Sequence, residues 1–181
     1  MVTPRPARPE TSPRSPDGET FRQAMRHLPT GVSVLTVSGP SGPHGVTINS
    51  LLSVSLNPPT LLVAIGHSTR THALLSQAAS YAVTILGADQ AELAARFSGP
   101  RRGFEGLDWM PSPATGDPVL AGGLATIECR ISDRVRVADH TLFLGAVLHV
   151  RSAPNRTGHP LVFVHQSYRD LSTTTTPPHR M

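Results

Sequence analysis

The sequence predicts a mainly β chain with short helices, an α+β domain, from two observations. Its 18 prolines and 15 glycines are spread among short apolar runs, as strands joined by turns require. Its composition, 38% hydrophobic and only 15% charged, suits a packed globule and excludes both a highly charged disordered chain and a coiled coil. At 181 residues it has the length of one ordinary domain.

Residues 1–18 are rich in Pro, Arg and Ser and read as a disordered arm, so the folded domain is expected over 19–172, with a low-complexity tail at 173–181. Thr20-Phe21-Arg22-Gln23 has the capping-box pattern, Phe21, Met25 and Leu28 share a helical face, and Pro29 ends the helix. Gly31–Ser38 reads as a strand, Gly39–Pro43 as a turn, and the run from Gly45 to Leu56 as one further strand closed by Asn57-Pro58-Pro59. Thr60–Ile65 is a short apolar strand suited to a barrel interior. A polar loop, Gly66–Arg70, leads into a helix through Ala79. Tyr81–Leu86 follows as a strand, then a helix from about Asp89 to Phe97. Ser98–Pro118 is glycine- and proline-rich and reads as a long loop. Leu124–Val137, Thr141–Arg151 and Leu161–His165 complete the strands.

The formal charge of +4 comes entirely from arginine, since lysine is absent. The arginines are scattered, with Arg101-Arg102 the one adjacent pair, and no basic stripe alternates with aromatics, so no nucleic-acid partner is expected. Cys129 is the single cysteine, which leaves no intrachain disulfide and points to a reducing cytoplasm. The N-terminal residues lack the apolar core of a secretory signal, and no apolar run has the length of a membrane span. The histidines show no metal-ligand spacing, and His67 and His72 are wrongly spaced for one helical face.

Two segments carry candidate chemistry. In the run 45–56, Thr47, Asn49, Ser53 and Ser55 share one parity, and Val46, Ile48, Leu52, Val54 and Leu56 share the other. The polar face bears short hydroxyl and amide groups and no charge. That suits the flat, neutral edge of an isoalloxazine ring, and it equally describes a Ser/Thr-rich edge strand. Ser68 and Thr69 precede a helix with Arg70 beside them, a set that would hold a phosphate, or that serves simply as an N-cap.

The segments Phe21–Val32, Gly45–Ser50 and Ser53–Pro59 together resemble the flavin reductase-like family, as do Ser68-Thr69, Ala94–Phe97, Ala125–Cys129, Asp139-His140 and Pro160–Val162. The resemblance runs in order over Phe21 to Leu171. It implies an FMN-binding split β-barrel of Greek-key type, a homodimer with flavin near the subunit interface, and reduction of FMN or FAD by NADH or NADPH. Reduced flavin would pass to a separate monooxygenase. By the same resemblance, Thr30, Gly31, Thr47, Asn49, Ser50, Ser53, Val54 and Ser55 would line the ring and ribityl chain. Ser68, Thr69 and Arg70 would hold the phosphate, Phe97 would flank the flavin, His140 would lie near the nicotinamide, and Tyr168 is the aromatic near the C-terminus. The sequence departs from the family pattern at Leu51, where Phe is frequent, at Ala138, where Gly precedes the Asp-His pair, and at Ser167, where Gly adjoins the aromatic.

Overall fold

The computed structural model describes residues 15–100, 103–152 and 158–171. Arg101-Arg102 and the 173–181 tail lie outside these residues, as does all but the end of the 1–18 arm. The first element, α1 (Gly18–Met25), begins earlier than the sequence predicts. Asp17 is its N-cap, and its carboxylate accepts the Thr20 amide at 2.7 Å. An ionised carboxylate is a stronger acceptor than the Thr20 hydroxyl and is favoured by the helix dipole, so it captures the cap position. Its own pKa is lowered by those Thr20 hydrogen bonds.

Seven strands form one antiparallel sheet. In chain order they are β2 (Ser33–Gly39), β3 (Gly42–Ile48), β4 (Leu51–Leu56), β5 (Pro59–Gly66), β6 (Ser80–Ile85), β9 (Ala125–Val137) and β10 (His140–Ser152). Across the sheet the order is β3-β2-β6-β9-β10-β5-β4. The expected single strand 45–56 is therefore two strands, β3 and β4, at opposite edges of the sheet and joined only by Asn49 and Ser50. Two residues reach about 7–10 Å at most, so the sheet must curl until its edges adjoin. At that seam the Ser50 carbonyl accepts the Ala64 amide at 3.2 Å. The result is an open, split barrel.

Inside the curl, Leu35, Val37, Leu61, Val63, Ile65, Tyr81, Cys129 and Phe143 pack with Leu75 of α2 (Arg70–Gln77), which ends two residues before the expected Ala79. The break at 49–50 also reverses the expected parity of β4. Leu51 turns toward this core, while Leu52, Val54 and Leu56 are exposed. Leu52 stands beside Leu62 and Leu62 beside Leu144, while Ala64 stands beside Leu142 and Leu142 beside Val135. The outer face of β4-β5-β10-β9 is thus an apolar surface.

A second core, around Val32, Val34, Leu86, Phe97, Phe104 and Leu161, lies beneath α3 (Ala91–Ser98), which follows a 3₁₀ turn at Ala88–Gln90. The expected loop 98–118 contains a hairpin, β7 (Trp109–Pro111) and β8 (Pro118–Leu120). Buried Asp117 ties it to the barrel, accepting from the Ser38 amide at 2.9 Å and the Ser80 hydroxyl at 2.6 Å. Buried Glu128 accepts the Ser112 hydroxyl. Asp117 at the end of the hairpin turn, reaching Ser38 and Ser80, and Glu128 beyond the segment order a stretch whose local composition reads as irregular. A three-stranded sheet completes the fold: β1 (Thr30–Gly31), β11 (Leu161–Val164) and β12 (Ser167–Asp170), the last not foreseen. Among the described residues no helix is long and apolar enough to cross a membrane.

Candidate active site

The seam makes the site. Asn49 leaves the end of β3 and its Nδ2 donates to the Thr30 hydroxyl on β1 at 3.3 Å. Thr30 in turn donates to the Phe163 carbonyl at 3.4 Å. Thr47 donates to the Ala94 carbonyl of α3 at 2.6 Å, and Ser50 to the Ala64 carbonyl of β5 at 2.7 Å. A hydroxyl that donates its proton to a carbonyl keeps lone pairs fixed in direction, so each becomes an oriented acceptor for a ligand N–H.

Of these, Thr47 and Asn49 border a cleft of about 260 Å³, lined also by Val32, Ile48, Ser98, Phe163 and Tyr168, while Thr30 and Ser50 lie outside its lining. Among the described residues no carboxylate or amine lines it. Tyr168 packs edge-on against Phe163, ring centres 5.6 Å apart. A Cβ built on Gly31 would meet nothing within 4 Å, so open space adjoins the strand on that side. A flat, neutral, apolar-bodied ring with hydrogen-bonding edges fits such a cleft, so the residues present suit an isoalloxazine.

Phe97, which the resemblance sets beside the flavin, is fully buried here and packs against Gly45 and Phe104. Its place near the motif residues in sequence reflects a structural duty, holding α3 against β3. Ser53, Val54 and Ser55 are not in this cleft. They lie along β4 toward the Thr60 end of β5, and Ser55 accepts the Asn57 amide at 3.1 Å. Ser98, Val32 and Phe163 enter the lining unforeseen. Ser98 closes α3, which the sequence reads as ending one residue earlier, and Phe163 reads only as strand interior.

The other end of β5 brings the second set together. Gly66 ends the strand, Thr69 caps α2 by accepting the His72 amide at 3.1 Å, and its hydroxyl donates to the Gly66 carbonyl at 2.9 Å. Ser68, Thr69 and Arg70 are exposed at this helix start, where unpaired amides and the guanidinium favour an anion. His140 pairs with Gly66 across β10-β5 and its ring lies over that glycine. Its Nδ1 is 2.8 Å from Asp139 Oδ1, and that hydrogen bond holds the Asp139 carboxyl below the usual carboxylate range. With Asp139 accepting at Nδ1, Nε2 is left to face the loop.

The sequence also missed a relationship between His67 and His72. Both Nε2 atoms reach the buried Thr141 hydroxyl, at 3.1 and 2.9 Å. Five residues apart, they span the loop and the first helical turn, so no single helical period would bring them together. Burial, then the neighbouring His67 and Arg136, lowers the pKa of His72. Among the described residues no group of three His, Cys, Asp or Glu is placed to hold a metal.

With this geometry in hand, comparison with known proteins decides the family. The sequence pattern of the flavin reductase like domain matches residues 25–172. The chain belongs to this family. Among curated flavin reductases, it is 41% identical over 151 residues to FMN reductase (NADH) SmoA of Agrobacterium fabrum, covering 83% of this chain and 84% of that one. The solved structure of the NADH:FAD oxidoreductase SgcE6 of Streptomyces globisporus, in complex with NAD and FAD fragments, superimposes with a TM-score of 0.81 at 34% identity, over 87% of this chain and 94% of that one. The styrene monooxygenase flavin reductase of Pseudomonas putida gives a TM-score of 0.77 at 35% identity, over 86% and 99%. The split-barrel fold expected from the resemblance is therefore that of solved flavin reductases.

Proposed function

We propose that this protein is an NADH-dependent reductase of FMN or FAD that delivers reduced flavin to a separate flavin-dependent monooxygenase. The observation that carries this reading is the neutral, acceptor-rich turn Thr47–Ser50 at the barrel seam. Its Ser50 is hydrogen-bonded to Ala64 of β5, the strand that leads into the capped, arginine-flanked start of α2. Relatives named as NADH-dependent FMN and FAD reductases support it.

When bound, the flavin supplies the hydride acceptor. The chain supplies position: Thr47, Asn49 and Ser50 orient the ring edge, Thr30 and Gly31 border it, and Ser68, Thr69 and Arg70 hold the phosphate. Tyr168 and Phe163 provide an apolar wall that keeps water from the ring. His140, fixed by Asp139, orients the carboxamide side of the nicotinamide. Ser53, Val54 and Ser55, away from the cleft within one protomer, would complete a site shared with a second subunit.

The second subunit is supported by the outer sheet face. Leu52, Val54 and Leu56 are 58%, 47% and 85% exposed and continue an apolar surface of a kind that marks association sites. A homodimer through β4-β5-β10-β9 would cover it. The cytoplasm is the natural setting for such an enzyme, as is a partner oxygenase of the kind served by the styrene monooxygenase flavin reductase.

The decisive experiment is a steady-state assay crossing FMN and FAD with NADH and NADPH on purified protein. Rapid NADH oxidation dependent on added flavin is expected. Oxidation of neither nucleotide with either flavin would sink the reading. Leu52→Asp should halve the mass seen in sedimentation, and an unchanged mass would remove this face from the interface.

A further inference from the structure

The β5-β10 ladder ends at Gly66 and His140, and the chain that follows Gly66 carries the residues proposed to hold the phosphate, Ser68, Thr69 and Arg70. Ties to the barrel flank that triple on both sides. His67 just before it and His72 two residues after it both reach the Thr141 hydroxyl of β10 through Nε2, at 3.1 and 2.9 Å. The His67 amide also donates to the Asp139 carbonyl at 2.9 Å. Thr71, between the triple and His72, is buried and meets Nε2 of His44 on β3 at 2.9 Å. The triple itself is exposed, so its position is set by its fastened neighbours. The residue that fastens both ends, Thr141, adjoins His140 in sequence.

The protons at Thr141 can be assigned. A hydroxyl has one proton to give, so it donates to one ring only, and the other ring must bring an Nε2–H. Burial, then His67 and Arg136, lowers the pKa of His72, which makes it the ring that stays neutral and can accept. Thr141 therefore donates to His72, and His67 donates to Thr141. The two rings meet edge-on with centres 4.9 Å apart, and His72 abuts Phe143 of the core at 5.8 Å. Packing alone would leave both rings free to turn. The hydroxyl between them fixes their orientation, because it is directional in both the bond it gives and the bond it receives.

We propose that Thr141 is a positioning residue for both partners in the reaction. Through His67 and His72 it holds the phosphate-binding segment Ser68–Arg70 at a fixed distance from His140, and so sets the flavin relative to the nicotinamide. It touches neither molecule. The inference rests on the reductase reading and on the phosphate position within it.

Thr141→Val keeps the size of the side chain and removes the hydroxyl, and Thr141→Ser restores it. In fluorescence titrations of the full chain, Thr141→Val is expected to weaken FMN about five- to tenfold and riboflavin less than about twofold, with Thr141→Ser close to wild type. In the Arg70→Ala background the FMN loss should shrink to less than about twofold, because the two side chains act on one contact. KM for NADH should rise a few-fold with kcat nearly unchanged. Nitrogen-15 spectra should show His72 protonated on Nδ1 in wild type and in Thr141→Ser, and that preference lost in Thr141→Val. His67→Gln, at a half-buried loop position, repeats the FMN arm without altering the strand. Equal losses for FMN and riboflavin in both variants would overturn the inference and leave Thr141 a purely structural residue. So would a Thr141→Val effect that adds in full to that of Arg70→Ala, or an unmoved KM for NADH. Wild-type protein that holds FMN no more tightly than riboflavin would remove the phosphate site and the inference together. An FMN preference that depends on Thr141, in a protein that oxidises no NADH, would remove the reductase reading and leave the hold of Thr141 on the flavin standing.

Discussion

A methyl group on the α-carbon of Gly45 would stand 2.5 Å from Cε1 of Phe97 and 2.7 Å from its Cδ1. The ring occupies the space a side chain would take, which lets α3 lie directly on β3 and brings the Ala94 carbonyl within reach of Thr47. Gly45→Ala should therefore overpack this contact, at a cost of about 1–3 kcal/mol, against at most about 1 kcal/mol recovered from a stiffer unfolded chain. Urea unfolding should show a net loss of stability, and flavin affinity should fall because Thr47 moves. Adding Phe97→Leu should restore part of both.

Ala138 has φ of 49°, in the left-handed region where a Cβ costs roughly 1–2 kcal/mol. The loss of backbone freedom that glycine brings is smaller, about 0.5–1 kcal/mol. Ala138→Gly is expected to raise the unfolding midpoint slightly while leaving KM for NADH unchanged. A lower midpoint would show that the β9-β10 turn relaxes in solution.

Arg70 stands at the first position of α2, beside the cap formed by Thr69. Hydrogen bonds to charged groups contribute about 1.5–3 kcal/mol, so Arg70→Ala should weaken FMN roughly 10- to 100-fold. Riboflavin, which lacks the phosphate, should change little in the same fluorescence titration. Equal losses for both would take Arg70 out of the phosphate site.

His140→Ala should raise KM for NADH several-fold, by about 1 kcal/mol of lost hydrogen bonding, with flavin affinity nearly intact. Asp139→Asn should produce a smaller effect in the same direction, since its role is to fix the imidazole. Stopped-flow measurement of nicotinamide binding separates the two, and an unchanged KM for His140→Ala would leave the pair a purely structural turn.

Much of this architecture was legible from local chemistry. Apolar runs bounded by Pro and Gly marked β5, β6, β9 and β10 to within a residue or two, and Thr69 was correctly read as a helix start. Apart from the cap of α1, a local contest, the failures share one cause, that neighbours remote in sequence decide the outcome. Parity along 45–56 presumed one strand, but the curl of the sheet needed a break at Asn49-Ser50, which turned Leu52 and Val54 outward. Phe97 lay within a family motif yet serves the core, because a glycine fifty-two positions earlier made room for it. Asp17 displaced Thr20 as the cap by charge alone. The meeting of His67 and His72 on Thr141 depended on β10 passing beside α2, which no local pattern records.

The two residues that join β3 to β4 give the barrel an unusual economy. Asn49 and Ser50 are both the hinge on which the sheet closes and the rim that faces the ligand. A molecule lodged there would bridge two margins of one sheet that few backbone bonds connect. Its arrival would act as a rivet across a lengthwise slit, so occupancy and the rigidity of the whole shell are coupled through a joint two residues long.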